Sequence, residues 1–394
     1  MTPRAVLFLT VFIHLLGFGI LLPLLPYYAE TYGANGTAVG LLNTSFSLMQ
    51  FGFSPIWGRL SDRVGRRPVI FGSLVVTAGS YLMFALATSL PVLFASRILA
   101  GIAGGVIPTT QAYIADTTTP AERTKGMGLL GAAFGLGFIF GPALGGVLSR
   151  HGYSVPAFVA CGLSLLAALS AYFVLPESLP RAARAAAIAS RRSAPTLLEA
   201  LRRPAVGLVL VLFFVGTLAF SILEGTFALF GEHDYGLSAR DIGYFFAYVG
   251  SVSALMQAGI VGALAKRFGE RALVIAGFAL MAVAMTYTGS KPLFPLLLLA
   301  MGILSVGNGL TTPSLAGLVS IASTPDEQGG ILGVYQSLGS LARAIGPFIG
   351  GVAFDRLGHG SPYLVAGLLM AVGVVLGVRI PSRSRVEISG RAIS

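Results

Sequence analysis

The stretch Gly58-Arg59-Leu60-Ser61-Asp62-Arg63-Val64-Gly65-Arg66-Arg67-Pro68 sets a knot of charge between two long apolar segments. That much charge does not rest in hydrocarbon, so the stretch marks a tight turn at one face of a membrane. Gly65 supplies the reversal and Pro68 opens the next helix. Composition points to the same class: 55% of the residues are hydrophobic and 10% charged, where a soluble domain carries about 25% charged. The chain reads as an all-α polytopic membrane protein. Its formal net charge of +11 is therefore read by side of the membrane, and no nucleic-acid partner is implied. Cys161 stands alone, which excludes a disulfide framework and a cysteine-based metal site.

Outward from the knot, apolar segments run over about 5–28, 37–58, 68–88, 91–114, 124–148 and 154–175, then over about 205–230, 237–263, 271–289, 291–316, 328–352 and 360–380. Each approaches the roughly 20 residues a crossing helix needs, which predicts twelve transmembrane helices. The first is longer than the apolar core of a secretory signal and shows no small-residue cleavage site, so it counts as a helix. Of the 26 Lys and Arg, Arg150, Arg240, Lys291 and Arg356 fall on one side, Arg97 and Arg343 fall inside spans, and the rest fall on the side of the knot. That asymmetry predicts both termini in the cytoplasm of a multi-pass cell-membrane protein, with a bacterial inner membrane as the setting.

The chain also repeats itself. Pro120-Ala121-Glu122 returns as Pro325-Asp326-Glu327, Gly141-Pro142 with Gly145-Gly146 as Gly346-Pro347 with Gly350-Gly351, and Gly58 to Gly65, degraded, as Gly262 to Gly269. A parallel pseudo-repeat predicts two six-helix bundles that handle a substrate near the midplane. The expected domains are 1–176, a cytoplasmic linker 177–204 whose Thr196 to Arg203 stretch forms a short surface helix, 205–381, and a cytoplasmic tail 382–394.

The pattern G-x-x-x-D-R-x-G-R-R at Gly58, Asp62, Arg63, Gly65, Arg66 and Arg67 resembles the loop between the second and third helices of major facilitator superfamily transporters. Leu16-Gly17-Phe18-Gly19 through Pro23-Leu24-Leu25-Pro26 resembles the first-helix signature of the twelve-helix drug/proton antiporters of that superfamily. Arg97, Gly101 and Gly105 resemble their fourth-helix motif, and Gly131, Gly135, Gly141, Pro142, Gly145 and Gly146 their fifth-helix antiport motif. The first half is most similar to tetracycline/proton antiporters, Ile114-Ala115-Asp116-Thr117-Thr118 included. It departs from them at His14 and Ser80, where they carry acids, and no acid lies in the ninth helix. The resemblance implies transport, and tetracycline itself is not carried over.

The candidate residues follow from physical chemistry. Asp62 ends the second span on the side where the eleventh begins near Gln328, and a carboxylate there suits the N–H groups at a helix start. With Gly58, Arg63, Gly65, Arg66, Arg67 and Asp116 it forms a candidate cytoplasmic gate; the plainer alternative is a set of charges that fixes topology. Gly135, Gly141, Pro142, Gly145, Gly146, Gly346, Pro347, Gly350 and Gly351 suit helices that pack closely, which explains them as well as antiport does.

An ion at the bilayer centre costs at least about 2.5–3.5 kcal/mol on insertion scales, so the embedded groups His14, Arg97, Glu224 and Arg343 point to function. Arginine stays protonated, leaving Glu224 as the proton carrier and His14 as a relay or substrate contact. The alternatives are a Glu224–Arg343 ion pair and a hydrogen-bonded core histidine. His14, Asn43, Gln50, Arg97, Gln111, Tyr248, Gln257, Asn308, Gln336 and Arg343 are the candidate substrate contacts, and Tyr113 is a further cavity-lining position. Each polar one serves equally as a helix–helix hydrogen bond. No nucleotide loop, metal-spaced cluster or catalytic constellation occurs, so the chain reads as no enzyme and needs no cofactor. The sequence thus points to a monomeric, proton-coupled exporter of amphipathic small molecules in a lipid bilayer. A carrier of a metabolite or lipid-like anion is the alternative within transport. A receptor or scaffold would instead require extended extramembrane segments.

Overall fold

The computed structural model describes residues 3–118, 120–180, 182, 184, 197–322 and 328–380, which are helical with no strand among them. In the first repeat, α1 (Pro3–Leu21) is interrupted at Pro23, which cannot donate a helical hydrogen bond, and resumes as α2 (Leu25–Glu30). Then come α3 (Gly36–Val64) and α4 (Arg66–Ala85), α5 (Leu90–Ile102) broken from α6 (Val106–Thr117) at Gly104-Gly105, α7 (Pro120–Leu148) and α8 (Ser154–Val174).

Within the linker lies α9 (Leu197–Arg202), in the stretch expected as a short surface helix, and α10 (Pro204–Tyr235) follows. Next, α11 (Ala239–Leu255) runs through a π-helical turn at Met256–Ile260 into α12 (Val261–Phe268). The chain closes with α13 (Glu270–Gly289), α14 (Phe294–Ile321), α15 (Gln328–Leu357) and α16 (Ser361–Gly377). Among the described residues nine helices are long and apolar enough to cross a membrane, and Ala5–Leu21 and Ser361–Gly377 are shorter apolar helices. The helix α3 falls outside both sets, made more polar by Asn43, Thr44, Ser45, Ser47 and Gln50, and covers the second expected span. Most of the linker, the repeat element Pro325-Asp326-Glu327 and the tail 382–394 lie outside the described residues.

Gly65 is the reversal, as expected, at φ 109°, but the bounds are corrected: the second span does not end near 58, because Gly58 to Val64 continue α3, and α4 begins at Arg66. A left-handed residue is cheap for glycine and lets one helix stop and the next begin within a single position. The repeat preserves the device at Gly269, with φ 78° between α12 and α13.

Two compact units emerge, and they are not coextensive with the repeats. The first gathers Met1–Arg192 with Glu224–Ser251 and Pro347–Arg356. Its core joins Val11 and Leu15 of α1, Leu74 of α4, Tyr113 of α6 and Ala133 of α7 to Ala167, Ala168 and Ala171 of α8. The small residues of α8 let its neighbours approach, as packing between membrane helices requires where lipid removes the hydrophobic drive. The second unit gathers Ser193–Leu223, Val252–Gly346 and Leu357–Ser394. There α13 lies against α14 and α16, with Val261, Leu273 and Leu310 in a smaller core.

Candidate functional site: the charged clasp and the embedded residues

The clasp is a charge network around one buried guanidinium. Arg66 is 6% exposed at the start of α4. Its Nη1 donates to Asp62 Oδ1 and to Ser61 Oγ, each at 2.6 Å, and its Nε donates to Asp116 Oδ2 at 3.0 Å. Ser178 Oγ donates to the same Asp116 oxygen at 3.0 Å, and Ser61 Oγ donates to the Gly58 carbonyl at 2.8 Å. With the half-buried Asp62 and the exposed Asp116 on one guanidinium, the buried Arg66 charge keeps the partners that burial demands.

Glu177 does the corresponding work for the backbone. Its Oε1 accepts from Arg66 N at 2.8 Å and its Oε2 from Arg67 N at 3.2 Å, so a carboxylate sits on the positive end of α4. Arg184 Nη1 donates to the Arg63 carbonyl at 3.3 Å and its Nε to Leu179 O at 3.2 Å. The Arg67 guanidinium lies 5.0 Å from the Tyr172 ring centre and donates to the Tyr172 carbonyl. Tyr113, expected among the polar lining, is buried and donates to Pro176 O at 2.8 Å. The first residues of the linker are thus part of the clasp. Pattern reading passed over Ser61, Glu177, Ser178 and Arg184, although Pro176-Glu177-Ser178 directly follows the sixth span on the clasp's side.

Arg97, on α5, is 4% exposed, and its Nε and Nη2 have no hydrogen-bond partner. Its guanidinium faces the rings of Phe84 at 5.2 Å and Phe46 at 5.9 Å. Such contacts lower the cost of burying a cation without neutralising it. Phe46 lies 5.3 Å from Phe18, which lies 5.9 Å from Phe138, so an aromatic row links α3, α1 and α7. His14 stands one turn before Phe18 on α1, half-buried, with Nδ1 lacking a partner, as does Thr10 Oγ1 one turn earlier.

Glu224 is half-buried on α10. In the first unit Asn43 Nδ2 donates to Val39 O at 3.4 Å, Gln50 lies where a side chain on Gly104 would meet it, Gln111 is half-buried and Tyr248 is 39% exposed. In the second, Gln257 is exposed on the π-helical turn, a distortion frequent at functional sites. There Asn308 Oδ1 accepts from Thr312 at 3.2 Å, Gln336 is exposed, and Arg343 Nη2 donates to Ser340 Oγ at 3.5 Å.

The glycine motifs mark real backbone approach at most positions. A side chain at Gly141 would reach Gly19 Cα at 2.8 Å, and one at Gly145 would collide with the Ile20 carbonyl, so α1 and α7 meet backbone to backbone. Gly146 abuts Arg240, and the Pro142 carbonyl stands where a Gly243 side chain would be. Gly346 abuts Ser221, Pro347 backs onto Gly40 and Gly225, Gly351 backs onto Gly36, and Gly350 is buried. Gly135 differs, with nothing within 4 Å of where its Cβ would lie.

Fold and site together define a polytopic all-helical membrane protein. The Major Facilitator Superfamily model matches residues 7–262 and 253–392, and the chain belongs to that superfamily. It is 31% identical to multidrug resistance protein 2 of Bacillus subtilis (strain 168), over 94% of this chain and 93% of that protein. It is likewise 31% identical to the class D tetracycline resistance protein of Salmonella ordonez, over 95% and 97%. The crystal structure of the human organic anion transporter MFSD10 (TETRAN) matches with a TM-score of 0.70 and 28% identity, covering 95% of this chain and 98% of that one.

Proposed function

We propose that this chain is a proton-coupled exporter of amphipathic small molecules working by alternating access. In this reading the bundles 1–176 and 205–381 move about a shared substrate site, joined by 177–204. The protein acts as a monomer in a bacterial inner membrane, with both termini and the tail 382–394 in the cytoplasm. Glu224 supports the reading: it stands 11 residues before the end of α10 at Tyr235, about 17 Å of helix, as an acid inside an apolar span. Arg97 and Arg343 keep their charge, so Glu224 and His14 are the embedded groups able to exchange a proton. Export against a proton requires that proton and substrate exclude one another. Glu224 is then the carrier and His14 the substrate contact. The clasp from Gly58 to Asp116 closes the inner side, and the glycine-proline segments of α7 and α15 close the outer.

Purified protein in liposomes with an imposed pH gradient tests this against lipophilic cations, tetracyclines and neutral drugs. Glu224→Gln is expected to abolish uphill export while substrate still binds, and His14→Ala to change affinity or substrate range. Uphill export by Glu224→Gln with an intact pH response would move the proton site elsewhere. The second reading, a carrier of metabolite or lipid-like anions, is favoured by the unpartnered Arg97 N–H groups and by the organic anion transport named for MFSD10. Adding 2-naphthoate and a matched naphthyl ammonium ion to the panel separates the two.

A further inference from the structure

At the end of α3 opposite the clasp, a residue no motif singles out holds the helix. Asp355 lies in the last turn of α15. Its Oδ1 accepts from Gly36 N at 2.9 Å, and its Oδ2 from Thr37 N at 2.7 Å and from Thr37 Oγ1 at 2.5 Å. A helix start leaves its first N–H groups without partners. Asn35, the capping residue, satisfies Ala38 N at 2.9 Å, and Asp355 takes two that Asn35 leaves. The backbones beneath are pressed together, since a side chain on Gly40 would strike the Pro347 carbonyl and one on Gly351 the Gly36 carbonyl.

The same unit carries two more bonds of this kind: His233 Nε2 to Glu30 Oε1 at 2.9 Å, and Tyr27 Oη donating to Leu237 O at 2.7 Å. All of these join the first repeat to the second.

We propose that Asp355 is a gating residue, the outer latch that holds the start of α3 against α15 while that side is closed. This rests on the alternating-access reading. The glycine contacts determine that the helices fit; a fit by shape persists as long as the surfaces touch. Asp355 is exposed, so on opening its oxygens and the Gly36 and Thr37 N–H groups exchange one another for water. A bond with that alternative is nearly balanced, as a latch broken in every cycle must be.

The test replaces Cys161 by serine and places single reporter cysteines at Val39, 0% exposed at the start of α3, or at Ile114, 4% exposed at the clasp end. Labelling by a water-soluble maleimide is followed in nanodiscs. Asp355→Asn is expected to speed labelling at Val39→Cys about fivefold and leave Ile114→Cys no faster. Asp355→Glu should stay near the starting rate, and Thr37→Val, which removes only the hydroxyl, should give about twofold. Equal acceleration at both reporters means general loosening and overturns the proposal. So does an unchanged Val39→Cys rate in Asp355→Asn and Thr37→Val while substrate or pH still alters it. A Val39→Cys rate that no substrate, pH or variant alters overturns alternating access along with the latch.

Discussion

The two ends of α3 are held in opposite ways. At its C-terminal end Arg66, 6% exposed, binds Asp62 and Asp116 and locks the clasp through buried charge. At its N-terminal end, the other end of a helix of 29 residues and roughly 42 Å away, glycine backbones carry the contact and the charge of Asp355 stays exposed. Buried charge is unforgiving, because losing one partner strands the other. Exposed charge over a shape-matched backbone is graded, because water substitutes for each lost bond. The difference lies in what release costs at each end: a buried guanidinium must give up its partners at one, and water replaces the bonds one by one at the other.

The largest expected effect is at the clasp. Arg66→Ala takes away the buried cation and leaves the half-buried Asp62 and the exposed Asp116 to water, so it should cost about 1.5–3 kcal/mol, the range for hydrogen bonds to charged groups, read as a loss of folded protein in detergent on heating. If it costs no more than a surface substitution, the buried guanidinium does not hold that end. Next in size is Gly145→Leu: its side chain has no room beside the Ile20 carbonyl, and overpacking costs about 1–3 kcal/mol. Transport should fall below about a tenth with expression retained, and Gly135→Leu, where nothing lies within 4 Å, should stay well above it. Equal transport by the two would remove the distinction between pressed and open glycines.

Glu177→Gln keeps the shape at the start of α4 but removes its charge, for about 0.3–1 kcal/mol or up to about 2 where partly buried. Its effect on thermal stability should shrink in high salt, whereas a salt-independent loss would assign Glu177 a purely steric role. An effect of similar size is expected at Tyr27, whose hydroxyl donates one bond to Leu237 O. Tyr27→Phe should cost about 0.5–1.5 kcal/mol and speed labelling of Val39→Cys slightly, without touching the clasp end.

The sequence by itself determined the class, the twelve spans and the place of the clasp. Hydrocarbon excludes charge and unpaired backbone, so composition and length alone force helices and push Arg59, Asp62, Arg63, Arg66 and Arg67 to a face. It also exposed the repeat, because glycine and proline at fixed offsets leave a visible pattern. Tertiary structure alone decided the partners. Glu177 reaches the α4 start across a separation of 111 positions and Asp355 the α3 start across 319, and neither stands out in composition, since a carboxylate near a helix end is ordinary. Likewise Gly135 and Gly145 belong to one motif, yet one faces open space and the other a carbonyl. Spacing along a helix determines which face a residue shares, whereas the neighbour that covers that face comes from elsewhere in the chain and is found only when the helices are packed.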